Sequence, residues 1–297
     1  MRKLLLILIA LPMIGFGQSN FKPKSKGQLV DHSYYSLSYD ESHEQSEWVY
    51  YLLTSDMING NYQRTDNFRV DNKIQTGSAS KSDYYKSGYD RGHLAPAGDM
   101  KISKKSMSES FLLSNVSPQN PSFNSGGWQK LENQVRSWVL AEGEMCIVTG
   151  PILRHQIESI GSNNVSVSSF FYKIVYSNLI DKMIGFVMPN QKIENDLKYY
   201  VKSVDYIENL TGIDFFYQLD DAIEKELESQ INLKEWDFSI VKKSSNSLRK
   251  IASKQCLGIA KSTYKRCRNN TKNENGYCYI HQSQSKDYIP FNKQTIK

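Results

Sequence analysis

The chain has 297 residues, of which 39% are hydrophobic and 23% charged, so it is long enough for one large folded domain or two modest ones. This composition excludes collagen-like, wholly disordered and disulfide-only proteins. The net charge of +6 is unevenly distributed: residues 241–297 carry 13 Lys and Arg against two acidic residues, whereas residues 19–240 sum to −7. The sequence therefore predicts an acidic body followed by a basic tail.

The first residues have the charge and hydropathy order of an export signal. Arg2 and Lys3 precede an apolar run from Leu4 to Phe16, and small and polar residues follow. This run is shorter than the roughly 20 residues that a membrane-spanning helix needs. We therefore expect a signal peptide over residues 1–17, no later membrane span, and a secreted or periplasmic protein.

The first half of the body combines strand and helix patterns. Alternating aromatic and branched residues predict strands over residues 34–39 and 48–53. Further along, the patterns predict a short helix over residues 103–111, a strand over 112–116 and an amphipathic helix over 125–140, with Asn124 or Ser125 as its N-cap.

The second half continues this mixture. We expect a strand over 145–149, a hairpin of strands 169–176 and 183–188, and helices over 193–209 and 220–231. The strands and helices interleave without a βαβ repeat, which predicts a mixed α+β domain over residues 18–240. Lys- and Ser-rich residues 241–255 are typical of a linker, and residues 256–297 would form a small basic Cys/His module and tail.

Several chemically active side chains cluster between residues 90 and 136. His93 lies in a segment interrupted by Gly and Pro, and Arg91 places a fixed cation two positions before this potential base. About 30 residues later, Asn124, Glu132 and Arg136 fall on neighbouring lines of one helix surface. Amide and carboxylate oxygens suit Mg²⁺, which keeps several waters and needs few protein ligands, whereas a single histidine suits zinc poorly.

Three sequence motifs, in a fixed order along the chain, resemble those of a known family. They are residues 90–96 (DRGHLAP), 114–119 (SNVSPQ) and 123–132 (FNSGGWQKLE), and together they closely resemble the DNA/RNA non-specific endonuclease family. This family comprises secreted and mitochondrial sugar-non-specific nucleases with a ββα-metal finger. The resemblance covers roughly residues 30–235 and implies an α+β fold whose mixed sheet carries such a finger.

The resemblance also implies roles for individual residues. His93 matches the general base, Asn124 the single direct protein ligand of a hydrated Mg²⁺, and Glu132 a carboxylate that orients water on that ion. Arg91 and Arg136 match cations near the phosphate, Asn115 a supporting amide, and Asp90 a brace for the loop. For a further phosphate-contacting arginine of the family, Arg64 is the first candidate and Arg69 the alternative.

The function that follows is metal-dependent hydrolysis of phosphodiester bonds in DNA and RNA with little sequence specificity. Mg²⁺ is the expected cofactor and Mn²⁺ an alternative, and a homodimer is left open. Activity is expected to rise through an ordinary imidazole pKa and to favour neutral or mildly alkaline pH. The competing hypothesis is a catalytically silent protein on the same scaffold that binds nucleic acid or attaches to a cell surface.

The tail holds a second group of candidate ligands. Cys256, Cys267, Cys278 and His281 follow the spacing C-x10-C-x10-C-x2-H, which can supply a tetrahedral zinc site. The alternatives are a disulfide with one remaining thiol, or neither arrangement. Cys146 lies in an apolar strand pattern and is expected to be a buried thiol. The basic, Tyr-bearing tail is also a candidate surface for nucleic acid or an anionic cell surface.

Overall fold

The computed structural model describes residues 21–153 and 158–239, the short segments 254–259, 265–267 and 270–271, and residues 277 and 284. The chain divides into two compact units, Met1–Ile240 and Val241–Lys297. The predicted signal peptide and nearly all of the predicted linker lie outside the described residues. No helix within the described part combines the length and apolar character that crossing a bilayer requires.

A seven-stranded antiparallel sheet forms the centre of the first unit. Its strands are β1 (Gln28–Asp31), β2 (Ser36–Asp40), β3 (Gln45–Leu53), β6 (Met145–Pro151), β9 (Phe170–Ser177), β10 (Lys182–Pro189) and β11 (Val201–Lys202). They lie side by side in this order, so the strands that meet in the middle come from distant parts of the chain.

Both faces of the sheet are buried. Successive side chains of a strand point to opposite faces, so one strand supplies side chains to both. In β3, Val49 and Tyr51 join the largest hydrophobic cluster of the described residues, whereas Trp48 and Tyr50 join a second one on the other face. The alternation therefore builds two cores from one strand.

Helices cover both of these cores. The amphipathic helix α4 packs Leu131, Val135 and Trp138 into the larger cluster, and α5 packs Val204 and Ile207 into the other. The helices are α1 (Ser55–Asn59), α2 (Lys81–Tyr84), α3 (Lys104–Glu109), α4 (Gln129–Glu142), α5 (Val204–Thr211) and α6 (Asp221–Ser229).

A second, two-stranded sheet lies beside the main one. Its strands β4 (Asp90–His93) and β5 (Val116–Gln119) pair antiparallel, with His93 opposite Val116. After β5 the chain enters one π-helical segment, Phe123–Trp128, and continues directly into α4. Another small pair, β7 (Glu158–Ile160) and β8 (Val165–Val167), packs against β5.

The second unit is described only in short segments. Strands β12 (Lys254–Gln255) and β13 (Asn270–Thr271) pair antiparallel, and Cys256 and Cys267 are buried against each other. Two of the four predicted zinc ligands, Cys278 and His281, lie outside the described residues. In the first unit, Cys146 is a buried thiol 3.7 Å from the Tyr50 hydroxyl, as the apolar strand pattern predicts.

The expected α+β class is confirmed, but the expected mixed sheet is wrong, because all strand pairs described in the main sheet are antiparallel. Two element predictions are also wrong. The strand predicted over 112–116 is instead a 3₁₀ turn, Leu113–Asn115, and the strand begins at Val116. The helix predicted over 193–209 begins only at Val204, because Leu197–Tyr200 form a 3₁₀ turn and β11 then adds a strand to the sheet edge. In the second segment the pairing of Val201 and Lys202 with β10 overrides the local apolar period.

Candidate active site

The predicted site residues come together in one cleft of about 840 Å³. The cleft lies between the segment after α1, the end of β4 with its following turn, and the start of α4. Six of the nine residues given roles in the body of the sequence line it: Arg64, Arg91, His93, Asn124, Glu132 and Arg136. The exceptions are Arg69, Asp90 and Asn115.

His93 is positioned at the end of β4 and enclosed by aromatic rings. Its ring packs edge-on against Phe111 at 4.9 Å and tilted against Phe68 at 5.3 Å, and its own carbonyl accepts a bond from the Trp128 indole at 3.4 Å. The buried Nε2 has no hydrogen-bond partner among the described residues. Among the described residues, the Nε2 atom of His93 therefore has no acceptor that would take a hydrogen bond from its charged form.

Burial is the main cause that lowers the pKa of His93 to about 3, and the nearby cations Arg64 and Arg91 lower it further. The Asp66 carboxylate opposes this shift only in part. A group with such a pKa is neutral at physiological pH and is able to accept a proton. The expectation of an ordinary imidazole pKa is therefore wrong, because it took no account of the aromatic enclosure and the two cations.

Two exposed arginines lie over the same aromatic pair. The Arg91 guanidinium stacks on Phe68 at 4.4 Å, and that of Arg64 stacks on Phe111 at 4.9 Å and pairs with Asp66 at 2.7 Å. Stacking leaves the edge of a guanidinium free to donate two parallel bonds to a phosphate. Both side chains are thus directed by the rings that enclose the base.

The alternative arginine has a different environment. The Arg69 guanidinium donates to the backbone carbonyls of Asn67 at 3.3 Å and Ser108 at 2.7 Å, and it does not line the cleft. Of the two candidates, the structure brings Arg64 to the cleft and uses Arg69 to hold the loop.

Asn124 lies in the π-helical segment and not at a helix N-cap. Its Nδ2 donates to Asp90 Oδ2 at 2.9 Å, which leaves Oδ1 as the atom that can accept or ligate. The wide π turn is accompanied by Gly126 and Gly127, and a Cβ at Gly127 would lie 2.2 Å from Ile193. The local backbone thus depends on glycine to bring this amide to the cleft.

Glu132 and Arg136 form part of a buried network that reaches into the sheet. Arg136 bonds Glu132 at 3.4 Å and Asp99 at 2.5 Å, and Asp99 accepts from the Tyr51 hydroxyl at 2.8 Å. Burial raises the pKa of Glu132, whereas Arg136 and then Lys173 oppose the shift. The carboxylate of Glu132 is therefore held in place by a guanidinium that is itself anchored.

Two members of this network were not predicted. Asp99 anchors Arg136, and Lys173 lies in the central strand β9 with its ammonium 4.7 Å from the Trp128 ring. Burial lowers the pKa of Lys173 to about 8, although Glu132 and Asp99 oppose this shift. The sequence offers one signal for Lys173, because it is a charged residue in an otherwise apolar strand pattern.

Asn115 supports the site from behind. Its side chain accepts from the Ala95 amide at 2.9 Å and donates to the carbonyls of Ala95 at 2.9 Å and Ser110 at 2.8 Å. It is fully buried and does not line the cleft. Asn115 therefore fixes the turn that follows His93 and has no contact with the cleft itself.

Replacing Asn115 by alanine is expected to lower the free energy of unfolding by about 3 kcal/mol, because three buried backbone groups lose their partner. Urea denaturation of the two proteins measures this difference. Asn195→Ala is the matched control: Asn195 is exposed, so its replacement is expected to change stability by less than about 0.5 kcal/mol. Equal unfolding midpoints for Asn115→Ala and the control would show that Asn115 is not a brace.

The chemistry of the cleft is that of a site for phosphate esters. It combines a neutral base, guanidinium groups for a phosphate, and amide and carboxylate oxygens for a hard cation.

Comparison with known proteins agrees with this class. The family model for DNA/RNA non-specific endonuclease matches residues 15–222, and the chain belongs to this family. The expected family and its class of enzyme, a nuclease, are thereby confirmed at the level of the family.

Individual relatives support the same conclusion. The mitochondrial nuclease EXOG of Danio rerio is 33% identical over 65% of this chain and 62% of its own length, and a nuclease of Nostoc is 33% identical over 69% and 78%. Human mitochondrial endonuclease G is 31% identical over 63% and 69%. A crystal structure of the EndoG/EndoGI complex matches with a TM-score of 0.61 and 32% identity over 65% of this chain and 87% of that chain.

These relatives contradict the predicted location. The proteins from Danio rerio, Mus musculus and Homo sapiens are mitochondrial nucleases, so the prediction of a secreted or periplasmic protein is wrong on this finding. That prediction depended only on residues 1–17, where basic residues precede an apolar run, and it used no feature of the rest of the chain.

Proposed function

We propose that the protein is a metal-dependent endonuclease that hydrolyses phosphodiester bonds in DNA and RNA with little sequence specificity. The observation that carries the proposal is the neutral, buried imidazole of His93 in the same cleft as two stacked arginines and the oxygens of Asn124 and Glu132. The two-stranded sheet β4–β5 followed by α4 would then be the ββα-metal finger of the family.

The oxygen donors of the cleft fit a magnesium ion. Asn124 Oδ1 would be the direct ligand, since its amide nitrogen is engaged by Asp90, and Glu132 supplies a nearby carboxylate. When bound, Mg²⁺ would neutralise charge that develops on the phosphate. Mn²⁺ fits the same donors, because an amide oxygen and waters discriminate weakly between hard cations.

The protein's own groups would divide the remaining work. Neutral His93 accepts a proton from the attacking water as its oxygen bonds to phosphorus. The bond from phosphorus to the 3′ oxygen breaks, and the leaving 3′ oxygen takes a proton from solvent. Arg64 and Arg91 bind the phosphate oxygens, and Arg136 keeps Glu132 oriented. The products would be a 3′ hydroxyl and a 5′ phosphate end.

Little sequence preference is expected because these groups address phosphate and carry no base information. Mapping the cleavage positions on several unrelated DNA and RNA strands tests this. Cuts distributed along every strand, each with a 5′ phosphate, support the proposal. Retention of nucleic acid on a gel without cleavage would instead support a catalytically silent binding protein.

The rate should be nearly independent of pH where an ordinary histidine titrates. Because the pKa of His93 is lowered to about 3, the base stays deprotonated and active as pH falls below 6.5. We expect kcat/KM at pH 5.5 to lie within about twofold of its value at pH 7.5, whereas a base with a pKa of about 6.5 would lose about tenfold. Initial rates at constant ionic strength and Mg²⁺ measure this, and a tenfold loss at pH 5.5 would contradict the lowered pKa.

The basic tail is proposed to bind substrate for the acidic body. Residues 241–297 carry a net charge of +11, and lysine and arginine bind nucleic acid through counterion release. The zinc site of Cys256, Cys267, Cys278 and His281 stays a prediction, since only the first two are described and they lie buried together.

Removing residues 241–297 is expected to raise KM for DNA by about threefold or more at moderate salt and to leave kcat nearly unchanged. The two proteins should converge at high salt, where electrostatic attraction is screened. Steady-state kinetics at two salt concentrations measure the difference. Equal KM values at moderate salt would show that the tail does not bind substrate.

A further inference from the structure

A cluster of carboxylates joins α5 to α6 outside the candidate active site. Asp205 and Glu208 on α5 and Glu228 on α6 each place one carboxylate oxygen within 4.8 Å of the other two. Asp205 and Glu208 are partly exposed, whereas Glu228 is only 3% exposed. None of the three lines the cleft described above.

The buried member of the cluster lacks a partner. Glu228 Oε1 is shielded from solvent and has no hydrogen-bond donor among the described residues. Within the same part of the chain, none of the three carboxylates forms an ion pair, and the neighbouring Lys24 is engaged by Asp214 at 2.5 Å. An unpartnered buried carboxylate beside two others is costly unless a proton or a cation compensates it.

From this arrangement we infer that Asp205, Glu208 and Glu228 form a calcium site that ties α5 to α6. Oxygens on opposite sides of a Ca²⁺ ion are about 4.6 to 5.2 Å apart, since each bond is about 2.3 to 2.6 Å long. The three oxygens lie within 4.8 Å of one another and so can share one Ca²⁺ ion. The flexible shell of Ca²⁺ accepts several carboxylates, whereas Mg²⁺ demands a regular octahedron and usually binds through only one or two of them. The partly exposed members leave room for the waters that complete the shell.

The charges around the cluster agree with this site. Burial first, and then the neighbouring carboxylates Glu208 and Glu224, raise the pKa of Glu228 to about 9, and burial raises that of Glu208 to about 7. Among the described residues, carboxylates and not cations thus surround Glu228, which favours a bound cation at this position. The family match ends at residue 222, so Glu228 lies beyond it and the site is not a property of the matched segment.

Calorimetric titration of the purified full chain with CaCl₂ tests the site. We expect a binding event that is weakened at least tenfold in Glu228→Gln and in Asp205→Asn and is kept in Glu226→Gln, an exposed position on the same helix. Asn124→Ala should also keep this event, which separates it from any cation bound in the cleft.

The outcomes are distinct. Unchanged Ca²⁺ affinity in Asp205→Asn or in a folded Glu228→Gln, or tighter binding of Mg²⁺ than of Ca²⁺ to this site, would overturn the inference. If Glu228→Gln does not fold, Asp205→Asn decides, because Asp205 is only partly buried. DNA cleavage with Mg²⁺ is expected to be unaffected in Glu228→Gln, so failure of the calcium site and failure of the proposed nuclease activity are separate results.

Discussion

Replacing His93 by alanine is expected to lower kcat for DNA cleavage by at least about two orders of magnitude, the usual contribution of a positioned general base. The imidazole lines the cleft and is neutral, and no other histidine lines it among the described residues. KM should change much less, because the stacked Arg64 and Arg91 remain to bind the phosphate. Steady-state kinetics on a defined duplex at saturating Mg²⁺ measure both constants.

His43→Ala is the matched control for this substitution. The His43 ring bonds the Ser166 hydroxyl at 2.9 Å and lies outside the cleft, so its removal is expected to leave kcat within about twofold. The melting temperature of each variant shows whether it is folded. A folded His93→Ala protein with a kcat close to that of the control would refute the role of His93 as the base.

Replacing Asn124 by alanine is expected to raise the Mg²⁺ concentration at half-maximal rate by at least about tenfold and to lower kcat as well. The Asn124 amide oxygen is the proposed direct ligand of Mg²⁺, and its loss leaves Glu132 as the carboxylate that the motif places in the cleft. Losses of one tenfold step or more are usual when a group that holds or orients a metal ion is removed. Titration of the rate with MgCl₂ measures this shift.

Asn195→Ala is the control for the metal titration, because Asn195 is exposed and lies outside the cleft. Its Mg²⁺ dependence should match that of the unaltered protein. Asn124→Asp is an informative second variant, since it keeps an oxygen donor and adds charge, and it should retain more Mg²⁺ affinity than Asn124→Ala. An unchanged Mg²⁺ titration in Asn124→Ala would show that this amide is not a ligand.

The parts of the site that depend on nearby residues could be predicted from the sequence. His93 and Arg91 share one short motif, and Glu132 and Arg136 are four apart on a helix, a spacing that brings side chains together. The structure places all four in the cleft and joins Glu132 to Arg136 at 3.4 Å.

The parts that depend on distant residues could not be predicted in this way. Asp99 meets Arg136 only after the turn beyond β4 folds onto α4, and a Cβ at Gly98 would lie 2.6 Å from that guanidinium. Lys173 reaches the network from β9, in a sheet whose strand order places distant segments side by side. The spacing of apolar residues, every 2 positions in a strand or every 3.6 in a helix, does not indicate which distant side chains come into contact.

The same limit explains the pKa of His93 and the place of Asn124. The aromatic enclosure of His93 is built from Phe68 and Phe111, which lie on either side of it in sequence and meet it only in the folded chain. Asn124 was a reasonable N-cap because the apolar stripe begins near residue 128, but the π-helical segment extends the helix backward and includes it. Ile193 packs so closely against this segment that a Cβ at Gly127 would lie 2.2 Å from it, a long-range contact that the local sequence pattern does not contain.

The most direct test of the proposed activity is nicking of closed-circular DNA by the purified protein with Mg²⁺, with EDTA, and with the His93→Ala variant. We predict conversion to the open-circular form with Mg²⁺, none with EDTA, and a rate at least about a hundredfold lower in the variant. Nicking that persists at the same rate in EDTA, or in His93→Ala, would contradict the assignment of a metal-dependent nuclease with His93 as its base.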